Sequence, residues 1–281
     1  MQTEPVDARP QGSVGAVAAV WIWAALAFAV ATMLYALGRW WLPPVASQQG
    51  EGIDGLFRAI LTVVTLVFVG VQGLLGLALW RFRDRGQGRA AHWHDNPRLE
   101  LTWTAATALI LAGFTIFGGT LWVRVHGAPP PGALTVEVTG EQFGWVYRYP
   151  GPDGVFGRTN PRLISGRNPL GLDTSDPAAA DDRVTRELRL PVNQPVLLRI
   201  RAKDVIHSFF IPAMRFKQDA VPGRVIERWI TPTRTGRFTV ACAELCGVGH
   251  YVMASAVVVE TPEAFQRWLQ AGTPGVTTAM R

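Results

Sequence analysis

The chain has 281 residues, of which 48% are hydrophobic and 17% charged, and its formal net charge is +6. This length allows one membrane part and one modest extramembrane domain. The basic residues are spread out, without the aromatic-interleaved Lys/Arg runs of nucleic-acid-binding proteins, so nucleic acid is not an expected partner. Two cysteines are too few for a disulfide scaffold, but they allow one disulfide, a metal site or thiol chemistry.

Three apolar stretches occupy the first half of the chain. They span residues 14–38, 56–80 and 99–123, and each reaches the roughly 20 residues that a helix needs to cross a bilayer. Tryptophans lie at their ends, where such side chains anchor at the membrane interface: Trp40, Trp41, Trp80 and Trp122. The sequence therefore predicts transmembrane helices surrounded by membrane lipid.

The first stretch has two interpretations. Residues 44–47 end in small residues that a signal peptidase accepts, so the extra N-terminal segment 1–47 could be a cleaved signal peptide. Its apolar run is longer than the usual core of a signal peptide, and only Arg9 precedes it, which favours a retained helix. Residues 48–128 are then predicted to form a transmembrane helix hairpin.

The loop of residues 81–98 indicates the orientation in the membrane. Its arginines outnumber its aspartates: Arg81, Arg83, Arg85, Arg89 and Arg98 against Asp84 and Asp95. By the positive-inside rule this loop is cytoplasmic. We therefore predict a multi-pass protein of a bacterial-type inner (plasma) membrane, with its C-terminal part on the periplasmic face, where copper and disulfide chemistry are both available.

Short alternating segments with intervening Pro and Gly begin near residue 133. The segments predicted to be strands are 133–140, 196–202, 225–232, 236–242 and 254–260. Residues 151–185 are predicted to be a long loop region, and residues 261–270 a short helix with Thr261 as its N-cap. The pattern predicts an all-β sandwich or barrel over residues 129–270, followed by a C-terminal tail, 271–281.

One loop concentrates the soft metal ligands of the chain. Residues 242–253, CAELCGVGHYVM, hold both cysteines with a histidine and a methionine. Cys, His and Met in this order after a β-strand are typical of blue-copper sites, which also need an upstream histidine. His207, in DVIHSFFIP, lies 35 residues before Cys242. The second cysteine departs from a mononuclear site, because two thiolates can bridge two metals and share one electron.

Other interpretations of these residues stay open. Cys242 and Cys246 alone could form a disulfide, and together with His207 and His250 they could hold zinc. A membrane-anchored copper-delivery or thiol-redox protein would use both thiols for exchange. The coincidence of both cysteines, His250 and Met253 in one loop after a strand favours copper.

Four motifs are similar to those of cytochrome c oxidase subunit II, the CuA-bearing subunit of the haem–copper oxidases. They are CAELCGVGHYVM, DVIHSFFIP, KQDAVPGR (217–224) and GEQFGWVYRYP (140–150), and the resemblance runs from about residue 56 to residue 269. It implies a membrane-anchored all-β fold, in which N-terminal transmembrane helices are followed by a periplasmic cupredoxin-like β-barrel.

The resemblance also implies site residues. The side-chain ligands of the dinuclear copper centre CuA match His207, Cys242, Cys246, His250 and Met253. Glu244 matches the residue whose backbone carbonyl binds copper and whose carboxylate reaches toward a magnesium shared with subunit I. Glu100 matches the glutamate at the cytoplasmic entrance of a proton path. Asp219 and Arg224 match positions near the copper and subunit I.

Two features depart from the family pattern. Phe143 stands where the family usually has the tryptophan at which electrons enter from cytochrome c, and Trp145 matches a later tryptophan. We expect both residues on the route by which electrons enter. The first apolar stretch lies outside the family's two-helix core.

The three apolar stretches contain no histidine or cysteine, so the chain itself cannot hold haem in the membrane. The resemblance implies a non-catalytic electron-transfer subunit of a proton-translocating oxidoreductase. It would take electrons from cytochrome c and pass them to the haem of subunit I, which, with the other oxidase subunits, reduces dioxygen to water. A CuA-bearing nitric oxide reductase subunit is an alternative. A quinol oxidase subunit II would share the architecture but lack the copper ligands.

Overall fold

The computed structural model describes residues 12–35, 42–83 and 95–271. The chain divides into two compact units. The first consists of Met1–Leu42 and Gly55–Gly119, and the second of Pro43–Asp54 and Thr120–Arg281.

Three long α-helices lie in the N-terminal half: α1 Gly12–Tyr35, α2 Gln48–Arg81 and α3 Pro97–His126. Each is long and apolar enough to cross a membrane, and at most 11% of any spanning window is buried inside the chain. Apolar helices with so little burial need a lipid environment or protein partners. The prediction of apolar transmembrane helices is confirmed, while Trp40, Trp41, Arg85 and Arg89 lie outside the described residues.

The second unit contains two five-stranded sheets. Their strands are β1 Leu134–Glu141, β2 Gly144–Tyr149, β3 Arg183–Thr185, β4 Leu188–Pro191, β5 Val196–Ala202, β6 His207–Ile211, β7 Phe216–Ala220, β8 Ile226–Ile230, β9 Gly236–Cys242 and β10 Ala254–Glu260. One sheet has the order β3-β2-β1-β5-β8 and the other β4-β10-β9-β6-β7. The β1–β5 and β10–β4 pairs are parallel, and the other pairs are antiparallel.

The core lies between the inner faces of the two sheets. In β5 every second residue is buried and faces the core, while Leu197 and the two arginines lie on the outward face. Large rings fill the space: Trp145 and Tyr147 of β2 meet Phe209 of β6 edge to face, with ring centroids 5.0 and 6.1 Å apart. Each such fully buried side chain contributes about 2 kcal/mol through removal of apolar surface from water.

The five predicted strands are present, with bounds within two residues of the prediction. Five others were not predicted. Strand β6 is buried at four of its five positions, so it lacks the alternation on which the prediction rests. Strands β3 and β4 have only three and four residues. The closing helix α4, Pro262–Gln270, begins as predicted, because Thr261 Oγ1 accepts the Ala264 N–H at 3.3 Å.

A short segment before the second apolar stretch packs within the β-domain unit. Residues 43–54 join it through backbone hydrogen bonds from Ala46 N to Ala213 O, 2.8 Å, and from Gln48 N to Thr231 O, 3.0 Å. Arg215 extends this contact, since its Nε donates to Asp54 Oδ1 at 2.7 Å and its Nη2 donates to both Asp54 Oδ2 and the Pro43 carbonyl. Both side chains of the pair are at most 10% exposed.

Replacing Arg215 by methionine is expected to lower the free energy of unfolding of the β-domain unit by about 3 kcal/mol, because it leaves the Asp54 carboxylate buried without its guanidinium. Denaturant unfolding of the full-length chain in micelles, followed by near-UV circular dichroism, measures the change. Arg234→Met, at an exposed position, is the matched control. Equal stability of the two variants would contradict the structural role of Arg215.

Candidate metal centre

Three elements bring the predicted ligands to one end of the β-domain. His207 is the first residue of β6, Cys242 is the last of β9, and the loop between β9 and β10 carries the remaining ligands. Strands β6 and β9 pair with Phe209 opposite Cys242, which places the start of β6 beside the end of β9. The loop is closed at its base by a hydrogen bond from Cys242 N to Met253 O, 3.0 Å.

The predicted ligand atoms converge. The Sγ atoms of Cys242 and Cys246 are 3.9 Å apart, and Cys246 Sγ lies 3.6 Å from both His250 Nδ1 and Met253 Sδ. Ligand atoms of His207, Cys242 and Cys246 all lie within 4.8 Å of one another. The backbone carbonyl of Glu244 lies 3.2 Å from Cys242 Sγ, so the predicted carbonyl ligand belongs to the same cluster.

The orientation of His207 fits a metal ligand. Its ring is fully buried, and Nε2 lies 2.8 Å from Asp204 Oδ1. Among the described residues Nδ1 has no hydrogen-bond partner, although it is buried. A buried ring nitrogen without a partner is costly and needs an explanation. A metal bound beside the two cysteines explains it, with Asp204 holding the opposite nitrogen as carboxylates do in metal sites.

Both cysteines are free thiols. Burial, together with the neighbouring Cys242, raises the pKa of Cys246 to about 11. Without metal the buried thiol is therefore protonated at neutral pH, and metal binding releases a proton. Two thiolates, two imidazoles and a thioether form a soft donor set, which suits copper better than hard cations.

Phe143 packs directly on the ligand loop. Its side chain is 36% exposed, and its ring lies over Gly247 and Gly249, on either side of Val248. A methyl group on Gly249 would overlap the Phe143 ring, and one on Gly247, whose φ is +135°, would lie 3.1 Å from Phe143 Cζ. These two glycines therefore allow the ring to contact the loop between Cys246 and His250.

Replacing Gly249 by alanine is expected to displace the Phe143 ring or the loop. We expect the change to cost about 1–3 kcal/mol of stability through overpacking, and to weaken copper binding about tenfold because Cys246 and His250 flank the site. Thermal unfolding and a copper-chelator competition measure the two effects. Gly166→Ala, where nothing lies within 4 Å of the added methyl, is the control. Unchanged binding in Gly249→Ala would show that the contact does not constrain the loop.

Trp145 lies inside the domain and is 1% exposed. Its ring meets the His207 ring edge-on, with centroids 6.0 Å apart. Gly140 lies beneath both rings, since a methyl group there would be 2.9 Å from His207 Cδ2 and 3.1 Å from Trp145 Cζ3. Of the two aromatic residues predicted on the electron route, Phe143 thus reaches the surface and Trp145 contacts a ligand.

The other predicted residues lie outside this cluster. Asp219 stands opposite Ser208 in the β6–β7 pair and accepts its hydroxyl at 2.7 Å, and the bonds from Ser208 and Lys217 lower the pKa of Asp219. Arg224 is exposed in the turn after β7. Glu100 lies in the other compact unit, in the first turn of α3.

Two residues of the site were not predicted from the sequence. Asp204 accepts hydrogen bonds at both carboxylate oxygens, from the Gln142 and Val205 backbone N–H groups, and contacts His207. Burial opposes its ionisation, but the hydrogen bonds with His207, Gln142 and Val205 hold its pKa below the usual range. The Gln142 side chain donates to the Cys246 carbonyl at 2.6 Å. The one sequence signal for these contacts was the position of Asp204, three residues before His207.

Comparison with known proteins places the chain in a family. Residues 134–261 match the family description "Cytochrome C oxidase subunit II, periplasmic domain", and residues 32–118 match its transmembrane domain. A relative from Bradyrhizobium diazoefficiens, named alternative cytochrome c oxidase subunit 2, is 36% identical over 264 residues, which cover 91% of this chain and 95% of the relative. The chain belongs to the cytochrome c oxidase subunit II family.

A second curated relative agrees with this assignment. Cytochrome c oxidase subunit 2 of Cereibacter sphaeroides is 31% identical over 245 residues, which cover 83% of this chain and 80% of that one. The crystal structure of the periplasmic domain of subunit II of cytochrome oxidase from Bradyrhizobium japonicum has 33% sequence identity and a TM-score of 0.38, covering 51% of this chain and 95% of that domain.

Membership of the subunit II family bears out the fold and location predictions. The chain is a multi-pass membrane protein whose C-terminal, cupredoxin-like β-domain lies on the periplasmic side. This subunit II is part of a haem–copper oxidase, an oxidoreductase complex. Its cupredoxin-like domain carries a cluster of histidine and cysteine side chains suited to copper.

Proposed function

We propose that this subunit II accepts electrons from cytochrome c at a dinuclear CuA centre and passes them to the haem of subunit I. In this proposal subunit I reduces dioxygen to water while the complex translocates protons, and the present chain is a non-catalytic subunit. The observation that carries the proposal is the convergence of the two cysteine sulfurs with His250 Nδ1, Met253 Sδ and the His207 ring. The buried His207 Nδ1 also has no hydrogen-bond partner among the described residues.

The copper ligands in this proposal are His207, Cys242, Glu244 through its carbonyl, Cys246, His250 and Met253. When bound, the copper pair would take up and release single electrons. The protein shields the inner part of this site: His207, Cys246 and Met253 are at most 5% exposed, whereas Cys242 and His250 are half-buried. Strand pairing and the Cys242–Met253 backbone bond hold the loop ends in place, which limits rearrangement when the charge changes.

Aromatic side chains offer a route for electrons into the site. Phe143 is partly exposed and rests on the ligand loop, and Trp145 is buried against His207. We place the contact with cytochrome c at Phe143, with Trp145 behind it. The phenyl ring of Phe143 is smaller than the indole of the family's usual tryptophan at this position, but it still reaches from the surface to the ligand loop.

The remaining predicted roles belong to the assembled complex. Glu244 has an exposed side chain, so its carboxylate is available to a magnesium shared with subunit I while its carbonyl faces Cys242. Asp219 and Arg224, on and just after β7, are proposed to lie near subunit I. Glu100 is proposed to stand at the cytoplasmic entrance of a proton path, because it opens α3 next to the loop predicted to be cytoplasmic.

A thiol-redox or copper-delivery role is less consistent with the site. Exchange chemistry needs an accessible thiolate of low pKa, whereas burial raises the pKa of Cys246. Such a role would also leave unexplained why the buried Nδ1 of His207 has no partner in the described part of the chain.

An anaerobic rapid-mixing experiment tests the proposal. The full-length chain in detergent is loaded with copper and mixed with reduced cytochrome c, and the optical spectrum of the cytochrome is followed. We expect oxidation of cytochrome c by the copper-loaded chain and none by the metal-free chain. Failure to bind copper would overturn the centre. Copper binding without electron uptake would contradict the proposal that cytochrome c is the electron donor. Reduction of nitric oxide by the complex purified from membranes would favour the alternative, a nitric oxide reductase.

A further inference from the structure

We propose that Gln142 is a positioning residue that ties the upstream histidine ligand to the cysteine loop; the proposal rests on the metal centre proposed above. Gln142 lies in the turn between β1 and β2, where Glu141 and Gly144 pair. Its side-chain Nε2 donates to the Cys246 carbonyl at 2.6 Å. Its backbone N–H donates to Asp204 Oδ2 at 2.7 Å, and Asp204 Oδ1 lies 2.8 Å from His207 Nε2.

The position of the β1–β2 turn, which carries Gln142, is set by contacts outside the ligand loop. Glu141, the preceding residue, forms ion pairs with Arg186 and Lys203. The backbone of Lys203 donates to the Gly140 carbonyl at 3.0 Å, which fixes the end of β5 beside the hairpin. The turn is therefore held by residues that directly follow β3 and β5, without any contribution from a metal.

On the histidine side, the Gln142 backbone acts through Asp204. The Asp204 carboxylate is fixed because Oδ2 accepts the Gln142 N–H while Oδ1 accepts the Val205 N–H at 2.7 Å. A carboxylate held in this way sets the ring orientation of its histidine partner. The orientation it imposes on His207 leaves Nδ1 directed away from Asp204 and without a partner among the described residues, as a metal ligand requires.

On the cysteine side, the Gln142 side chain holds a loop that has little packing of its own. Leu245, Val248 and Tyr251 are 79, 93 and 86% exposed, so their side chains contribute little to the position of the loop. The bond to the Cys246 carbonyl fixes the peptide that follows this ligand and precedes Gly247, whose backbone conformation only glycine adopts readily. Without the bond, the hairpin turn still contacts the loop through the Phe143 ring, but it no longer holds the Cys246 peptide directly.

The test compares Gln142→Met with wild type in the full-length, copper-loaded chain. Methionine keeps the length of the side chain but cannot donate to the Cys246 carbonyl. We expect copper affinity, measured by chelator competition, to fall about 10- to 100-fold, as for other lost partners of ligands. We also expect altered copper hyperfine splitting in the electron paramagnetic resonance (EPR) spectrum. Gln218→Met, in which the lost bond is to the Asp219 carbonyl at 3.3 Å, is the matched control.

The outcomes separate this inference from the proposed function. Absence of a dinuclear copper signal in wild type would overturn the proposed centre itself. The positioning role would be overturned by a different result. In it, wild type shows the dinuclear signal, and Gln142→Met has the same copper affinity and EPR spectrum as Gln218→Met. If Gln142→Met does not fold, Gln142→Asn serves instead, because its amide is one methylene too short to reach the carbonyl. The same loss is expected there, and unchanged copper binding would contradict the proposal.

Discussion

Replacing Cys246 by serine is expected to abolish binding of a copper pair while the β-domain stays folded. Cys246 Sγ is the central atom of the cluster, within 3.9 Å of Cys242 Sγ, His250 Nδ1 and Met253 Sδ. A serine hydroxyl is a harder and far less acidic donor, so it cannot replace the thiolate toward copper. Metal analysis and EPR spectra report the copper pair, and near-UV circular dichroism reports the fold.

Two companion variants sharpen this prediction. Cys242→Ser is expected to show the same loss, because a copper pair needs both thiolates. Ala243→Ser adds a hydroxyl at an exposed position of the same loop without changing a ligand, and it should bind copper as wild type does. A dinuclear signal that persists in Cys246→Ser would contradict the assignment of this residue as a ligand.

Replacing Arg148 by methionine is expected to destabilise the β-domain by about 3–5 kcal/mol, the usual cost of breaking a buried ion pair from one side. The Arg148 side chain is 3% exposed and contacts Glu137, Asp182 and the Gly157 carbonyl. It thereby joins β1 and β2 to the segment between β2 and β3, in which Gly157 and Asp182 lie. The end of the predicted loop region 151–185 is strand β3. Burial raises the pKa of Asp182 even with Arg148 present. Loss of the Arg148 guanidinium therefore leaves a poorly solvated carboxyl group at Asp182.

Denaturant unfolding of the full-length chain measures this effect. Arg158→Met is the control, because the Arg158 side chain is 71% exposed and its ion pairs with Asp173 and Asp176 are at the surface. Exposed pairs contribute about 0–1 kcal/mol, so this control should remain near wild type. A comparable, small effect in both variants would show that Arg148 does not anchor the loop region.

The sequence predicted those elements whose local pattern is strong. Long apolar runs identify α2 and α3, and strict alternation identifies β5, in which arginines separate the buried residues. Strand β6 is different: its residues HSFFI are nearly all buried, so only its partners β7 and β9 define it as a strand. His207 at its start was predicted as a ligand from chemistry and spacing, not from secondary structure.

The same distinction applies to the candidate metal centre: part of it could be predicted from local sequence and part could not. Four of the proposed side-chain ligands could be predicted because they lie within one segment of twelve residues, the loop 242–253. The contacts that support them could not, because they join distant parts of the chain: 62 residues separate Gln142 from Asp204, and 104 separate it from Cys246. The packing of Phe143 over Gly247 and Gly249 likewise follows from tertiary structure, although the two glycines are visible in the sequence.

EPR spectroscopy of the copper-loaded full-length chain, combined with metal analysis, tests the proposed CuA centre itself. We expect a pair of copper ions in each chain and an unpaired electron whose hyperfine splitting arises from both nuclei. A spectrum from a single copper nucleus, bound zinc in place of copper, or a Cys242–Cys246 disulfide without metal would contradict it.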